Sequence, residues 1–137
     1  MEEKEIILNR AKCLSCGDIV TSYGVHDYIT CSCGKLSVDG GTAYLRRAYN
    51  DITLVEELSV YSDAPFEIIR ENYHRGGRGK NNDEPLRWVP LFEMSDSWLK
   101  NCIIYNDERN LSKSMMNYFY LKELRYRKRM EISILDK

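Results

Sequence analysis

Cys13-Leu14-Ser15-Cys16-Gly17 and, fourteen residues after Cys16, Cys31-Ser32-Cys33-Gly34 decide how the first half of this chain is built. Each is a close cysteine pair followed by glycine. Such a pair aims two sulfurs at one point from a single tight turn, and the glycine lets the backbone fold beneath them. Two such turns supply the four thiolates of a structural zinc site, so the spacing predicts Zn2+ held by Cys13, Cys16, Cys31 and Cys33. The insert between the pairs reads as a hairpin that brings them together: residues 18–23 as a strand, Gly24 as its break, and residues 28–30 leading back to the second pair. The sequence predicts a zinc ribbon, in which metal replaces a core too small to fold alone.

Other readings of these residues are weaker. His26 lies in the insert and competes as a ligand, but four cysteines already complete a tetrahedron, and a turn role beside Asp27 accounts for it. A Cys31–Cys33 disulfide closes an awkwardly short ring. Cys13 and Cys16 alone match a redox pair, but the βαβ pattern that houses one is missing. Cys102, the fifth cysteine, stands in the apolar run Trp98-Leu99-Lys100-Asn101-Cys102-Ile103-Ile104 and reads as a core thiol.

Bulk properties narrow the class. The chain has 137 residues, 43% of them hydrophobic, enough for one domain or two small modules with a real core. Charged residues make up 30%, yet net charge is −1, so any nucleic-acid surface must be a local patch. No apolar run approaches a membrane span, and the acidic start, Met1-Glu2-Glu3-Lys4-Glu5, does not read as a signal peptide. A cytoplasmic location is expected, where paired cysteines serve metal more often than disulfides.

Beyond the cysteines, Asp39-Gly40-Gly41 is a turn after an alternating strand. Residues 42–49 and 52–61 read as strands paired with each other. Asp63 is expected to cap a helix of about ten residues with Pro65 in its first turn and Phe66, Ile68, Ile69 and Tyr73 on its apolar face. The stretch from Arg75 to Pro85 reads as an exposed loop, and residues 86–92 as an edge strand limited by Pro90. Ser95 opens the next helix. Ser112 is expected to cap a last one of about eighteen residues, 113–130, with Met115, Met116, Phe119, Leu121, Leu124 and Tyr126 as its apolar band. The tail, residues 132–135, is expected to add a short strand. The fold class is therefore α+β: residues 1–62 form the zinc ribbon and small sheet, and residues 63–137 a helix-loop-strand-helix-helix module.

The two cysteine knuckles, with Val38-Asp39-Gly40-Gly41 and Tyr44-Leu45-Arg46-Arg47, resemble a family of small zinc-ribbon proteins widespread in bacteriophage genomes. The stretch from Arg75-Gly76-Gly77-Arg78-Gly79-Lys80 to Trp98-Leu99 is similar to a segment of other small phage proteins. The resemblance implies a four-cysteine zinc site and a viral origin, hence the cytoplasm of a bacterial host. It implies no substrate and no catalytic residues.

Three functions compete. The first is a non-enzymatic phage accessory protein that binds and modulates a host or defence protein. The second is nucleic-acid binding, with Arg75, Arg78 and Lys80 tracking phosphates and the basic and aromatic residues Tyr118, Tyr120, Lys122, Arg125, Tyr126 and Arg127 adding charge and rings. A solvated helix face whose cations complement the dipole explains the same residues. The third is capture of a small anionic nucleotide by the glycine-arginine loop, which lacks Walker spacing. An enzyme is not expected. His74, beside Glu71, is a weak candidate base and reads as a helix-end residue. A homodimer through the long C-terminal helix is the open alternative for assembly.

Overall fold

β1, Ile6–Cys13, is the strand on which the first half is assembled. In the computed structural model, which describes residues 4–136, it is paired along both edges. β2 (Ile19–Ser22) runs antiparallel to it on one side, from Asn9↔Ser22 to Lys12↔Ile19. A second antiparallel sheet places β4 (Leu36–Asp39) between β3 (Ile29–Thr30) and β5 (Arg46–Tyr49). Ala11, Cys13 and Val20 of the first sheet meet Cys31, Leu36 and Val38 of the second in one buried cluster. Each aliphatic side chain so covered stabilises by about 1.5–3 kcal/mol.

The insert between the cysteine pairs is not a hairpin of its own, contrary to the sequence reading. β2 pairs with β1 and β3 with β4, so each cysteine pair is the turn of a separate hairpin. The turns explain this. Gly17 and Gly34 have φ of +82° and +78°, and their N–H groups donate back to the carbonyls of Cys13 (2.7 Å) and Cys31 (3.0 Å). The chain reverses inside each knuckle and has no need of the insert to do so.

A second correction concerns residues 52–61, which do not pair with residues 42–49. The turn at Gly40 and Gly41 sends β5 back along β4, in register Leu36↔Tyr49 to Asp39↔Arg46. Ile52–Leu54 makes one 3-10 turn, capped by the Asp51 carboxylate. β6 (Val55–Glu57) and β7 (Val60–Tyr61) then take the remaining edge of β1, which is long enough for both in succession.

Asp63 does not cap the following helix, either. Pro65 stands at the N-cap of α1 (Phe66–Asn72), with no side-chain cap, and Asp63 lies 4.0 Å from the Lys4 ammonium. The helix has seven residues and buries Phe66 and Ile69. It packs on β1 and β7, and the chain divides after His74, twelve residues beyond the boundary read from sequence.

In the second unit the expected loop is partly strand. β8 (His74–Gly77) pairs with β9 (Arg87–Pro90), and only the residues between them are loop. A Cβ on Gly77 would stand 3.0 Å from the Trp98 ring, which accounts for a glycine inside a strand. Ser95 caps α2 (Asp96–Glu108) by accepting the Trp98 N–H, as expected. α3 (Met115–Met130) is capped by Ser114 instead of Ser112, whose carbonyl is taken by the Asn117 amide. The tail forms no strand among the described residues. The Ile134 carbonyl accepts from Asp96 N–H (2.8 Å), and the Asp136 carboxylate accepts from the Ser97 hydroxyl (2.7 Å). Leu91, Met94, Leu99, Cys102, Phe119 and Tyr120 are buried, so Cys102 is a core thiol. The architecture is α+β, with antiparallel strands carrying the cysteine cluster and helices toward the C-terminus. No helix among the described residues is long and apolar enough to cross a membrane.

Candidate metal centre

The four cysteines come from the two hairpin turns and meet at one end of the cluster between the sheets. Their sulfurs all lie within 4.8 Å of one another, with Cys13–Cys33 and Cys31–Cys33 at 3.6 Å. Four thiolates about 2.3 Å from one zinc ion would be separated by about 3.8 Å, so the cage has the dimensions of a tetrahedral site. All four are free thiols. Cys13 and Cys31 are buried, Cys16 is half-buried and Cys33 is exposed.

Backbone N–H groups point at the sulfurs. Those of Asp18 and Cys33 hold the Cys16 thiol down at about 6. Leu36 N–H, with neighbouring thiols, lowers Cys31 against its desolvation. The Lys35 N–H favours the Cys33 thiolate, but desolvation and the three other sulfurs outweigh it and push Cys33 up to about 11. Cys33 thus keeps a proton that it shares with the neighbouring sulfurs, and a cation between them would take that proton's place. The chemistry of the donor set fits a soft divalent ion.

Two contacts that sequence reasoning missed tie one knuckle to the other. The Asp18 carboxylate accepts the Ser32 N–H at 2.7 Å, and Ser32 keeps that carboxyl below its usual range through both its hydroxyl and its N–H. Lys35 donates to the Ser15 hydroxyl at 3.1 Å. His26 is exposed and lies outside the sulfur group.

Behind the centre lies a polar network with no local sequence signal. The Asn9 amide donates to the carbonyls of Asp39, Gly41 and Tyr44 at 2.9–3.1 Å. Its oxygen accepts from Arg47 at 2.7 Å, and Arg47 forks onto Glu57 at 2.7 and 2.9 Å. Asn9 thus joins β1 to the Gly40–Gly41 turn of the other sheet. That turn is tightly confined: a Cβ on Gly41, whose φ is +53°, would stand 2.5 Å from the Gly24 backbone.

Among the basic residues offered for ligands, Arg78 and Lys80 are exposed on the β8–β9 loop, and Arg125 on α3. Arg75 is half-buried and donates to the Tyr120 hydroxyl at 2.8 Å. Arg127 is not a surface residue. It is buried, bonded to Glu123 (2.8 Å), Asp96 (2.7 Å) and the Leu91 carbonyl (2.9 Å), because an inward-facing guanidinium must be paired. Tyr120, read as a base-stacking candidate, is buried with it.

With this geometry established, comparison with known proteins adds one finding. Residues 5–49 match the family model of a domain of unknown function (DUF7695). The match covers less than half of the chain but takes in all four cysteines and runs to the last residue of β5. No curated protein and no solved structure matches the chain.

Proposed function

We propose that this chain is a non-catalytic binding protein whose N-terminal unit is stapled by one Zn2+ on Cys13, Cys16, Cys31 and Cys33. The observation that carries the reading is the mutual approach of four sulfurs within 4.8 Å, all from cysteine. Four protein thiolates fill a tetrahedral zinc shell and leave no position for an activated water, which is what separates structural from catalytic zinc. When bound, the ion supplies folding energy. The chain's own residues orient the thiolates through the N–H groups of Asp18, Cys33, Lys35 and Leu36. Cys13 also lines a cavity of about 220 Å³ with Lys35, Asn50, Asp51 and Leu54. The carboxylate there already accepts from Thr53 and the ammonium donates to Ser15, which supports a scaffold over a reaction centre.

We take the partner to be a host or defence component in a bacterial cytoplasm; what supports this is the resemblance of the cysteine knuckles to phage zinc-ribbon proteins. Native mass spectrometry of protein purified without chelator tests the metal: one zinc per chain is expected. A metal-free chain whose four cluster thiols all react at once with a mild alkylating reagent would overturn it. Co-purification from infected cells tests the partner, and recovery of a stoichiometric host component is the expected result.

A further inference from the structure

We propose that the outward face of α3 is a docking surface for single-stranded nucleic acid. The inference names a partner for the binding role above, and it rests on that reading only in taking the chain to be non-catalytic. The face belongs to the C-terminal unit and makes no use of the metal.

Tyr118, Lys122, Arg125 and Arg129 recur at i, i+4, i+7 and i+11 of α3, so they form one stripe about 16 Å long at 1.5 Å per residue. Tyr118, Arg125 and Arg129 are exposed and Lys122 is half-buried. Lys128, also exposed, and Tyr126, half-buried, flank the stripe. The opposite arc, Asn117, Phe119, Tyr120, Glu123 and Arg127, is buried.

This sorting leaves the outward arc with one sign of charge. Glu123 is the helix's single acidic residue, and it is fully buried against Arg127. Among the described residues, no acidic partner lies within ion-pair distance of Arg125, Lys128 or Arg129. A chain with 20 basic and 21 acidic residues has thus collected four cations on one helical face. The helix dipole accounts for Lys128 and Arg129, which stand in the last turn. It does not account for Lys122 and Arg125, since its influence falls off within that turn.

The aromatic residues decide the kind of polyanion. Lys122 Nζ sits 5.5 Å from the Tyr118 ring centre, and the Arg129 guanidinium 5.5 Å from that of Tyr126. Tyr118 is 53% exposed, and it meets Phe119 edge-on with ring centres 5.5 Å apart. A duplex presents phosphates to the cations but keeps its bases stacked. A single strand offers phosphates to Lys122, Arg125, Lys128 and Arg129 and a base to each ring. An acidic protein would use the charges and leave the rings idle.

Fluorescence anisotropy of a fluorescein-labelled oligo(dT) with the full-length, zinc-loaded chain tests the proposal. Four phosphate contacts predict that affinity falls about fiftyfold between 50 and 200 mM KCl. The neutral variant K122Q/R125Q/K128Q/R129Q is expected to lose that salt dependence while circular dichroism retains its helix. Tyr118→Ala is expected to weaken binding about tenfold with the salt slope unchanged. Arg125→Gln alone, expected to reduce the slope by about 0.7, keeps the test decisive if the fourfold variant misfolds. Absence of binding at 50 mM KCl, an affinity indifferent to salt, variants that bind like the parent, or tighter binding to duplex than to strand would each overturn it. Zinc content measured on every sample separates the two proposals: a zinc-loaded chain that ignores the oligonucleotide sinks this one alone.

Discussion

Asn9 is a fully buried polar side chain in the middle of β1, and both its amide and its carbonyl are engaged. Its truncation would take a hydrogen bond away from the carbonyls of Asp39, Gly41 and Tyr44 and loosen Arg47. Asn9→Ala is therefore expected to cost about 2–4 kcal/mol, above the usual value for one hydrogen bond because several groups lose partners together. Urea unfolding measures this, and a change below about 0.5 kcal/mol would mean the network contributes nothing. Glu57, at the far end of that network, is desolvated, but Arg47 and Ser59 more than compensate and hold its carboxyl below the ordinary range. A depressed carboxyl stabilises the fold above its unfolded value, about 4.3, and the contribution disappears as pH falls through the lower folded value. Glu57 is half exposed, so the gain is under about 1 kcal/mol. The stability difference between parent and Glu57→Gln is expected to be present at neutral pH and to close below about pH 4.

The element whose character differs most from its sequence reading is α3. Its predicted apolar band names Met115, Met116, Phe119, Leu121, Leu124 and Tyr126, yet the buried arc is Asn117, Phe119, Tyr120, Glu123 and Arg127. Hydrophobic periodicity is blind to a buried ion pair, because each member reads as a surface residue until its partner is known. The pair also fixes an expectation. Arg127→Met removes the guanidinium shared by buried Glu123, Asp96 and the Leu91 carbonyl, at a cost of about 3–5 kcal/mol. Replacing both, as Glu123→Leu with Arg127→Met, is expected to recover most of that in the same denaturation assay. A double variant no better than the single one would show that the charges are not what holds the helix. The strands teach a related lesson. Turn chemistry at Gly17, Gly34 and Gly40–Gly41 was legible because it is local. The partner of residues 55–61 was not, because β1 lies more than forty positions earlier in the chain.

Over the whole molecule, the cysteine cage is the part most legible from residues alone, since a pair of thiols and a glycine carry their geometry in a few positions. The polar ties from Asp18 to Ser32 and from Asn9 to both sheets needed the fold before they could be seen. Division of the chain after His74 assigns the cage and the helices α2 and α3 to different units. Withdrawal of zinc by a strong chelator is thus expected to abolish hydrogen-exchange protection across β1 to β5 while amides of α2 and α3 keep theirs. Equal loss in both would show one cooperative unit. The placement of Cys33 has a further outcome. Of the four cysteines it alone is exposed, Cys16 is half-buried, and Cys13 and Cys31 are buried. An ion held there would meet competing thiols beside Cys33 and half-buried Cys16, so handover is expected to follow an associative course, quick for small scavengers and slow for bulky ones.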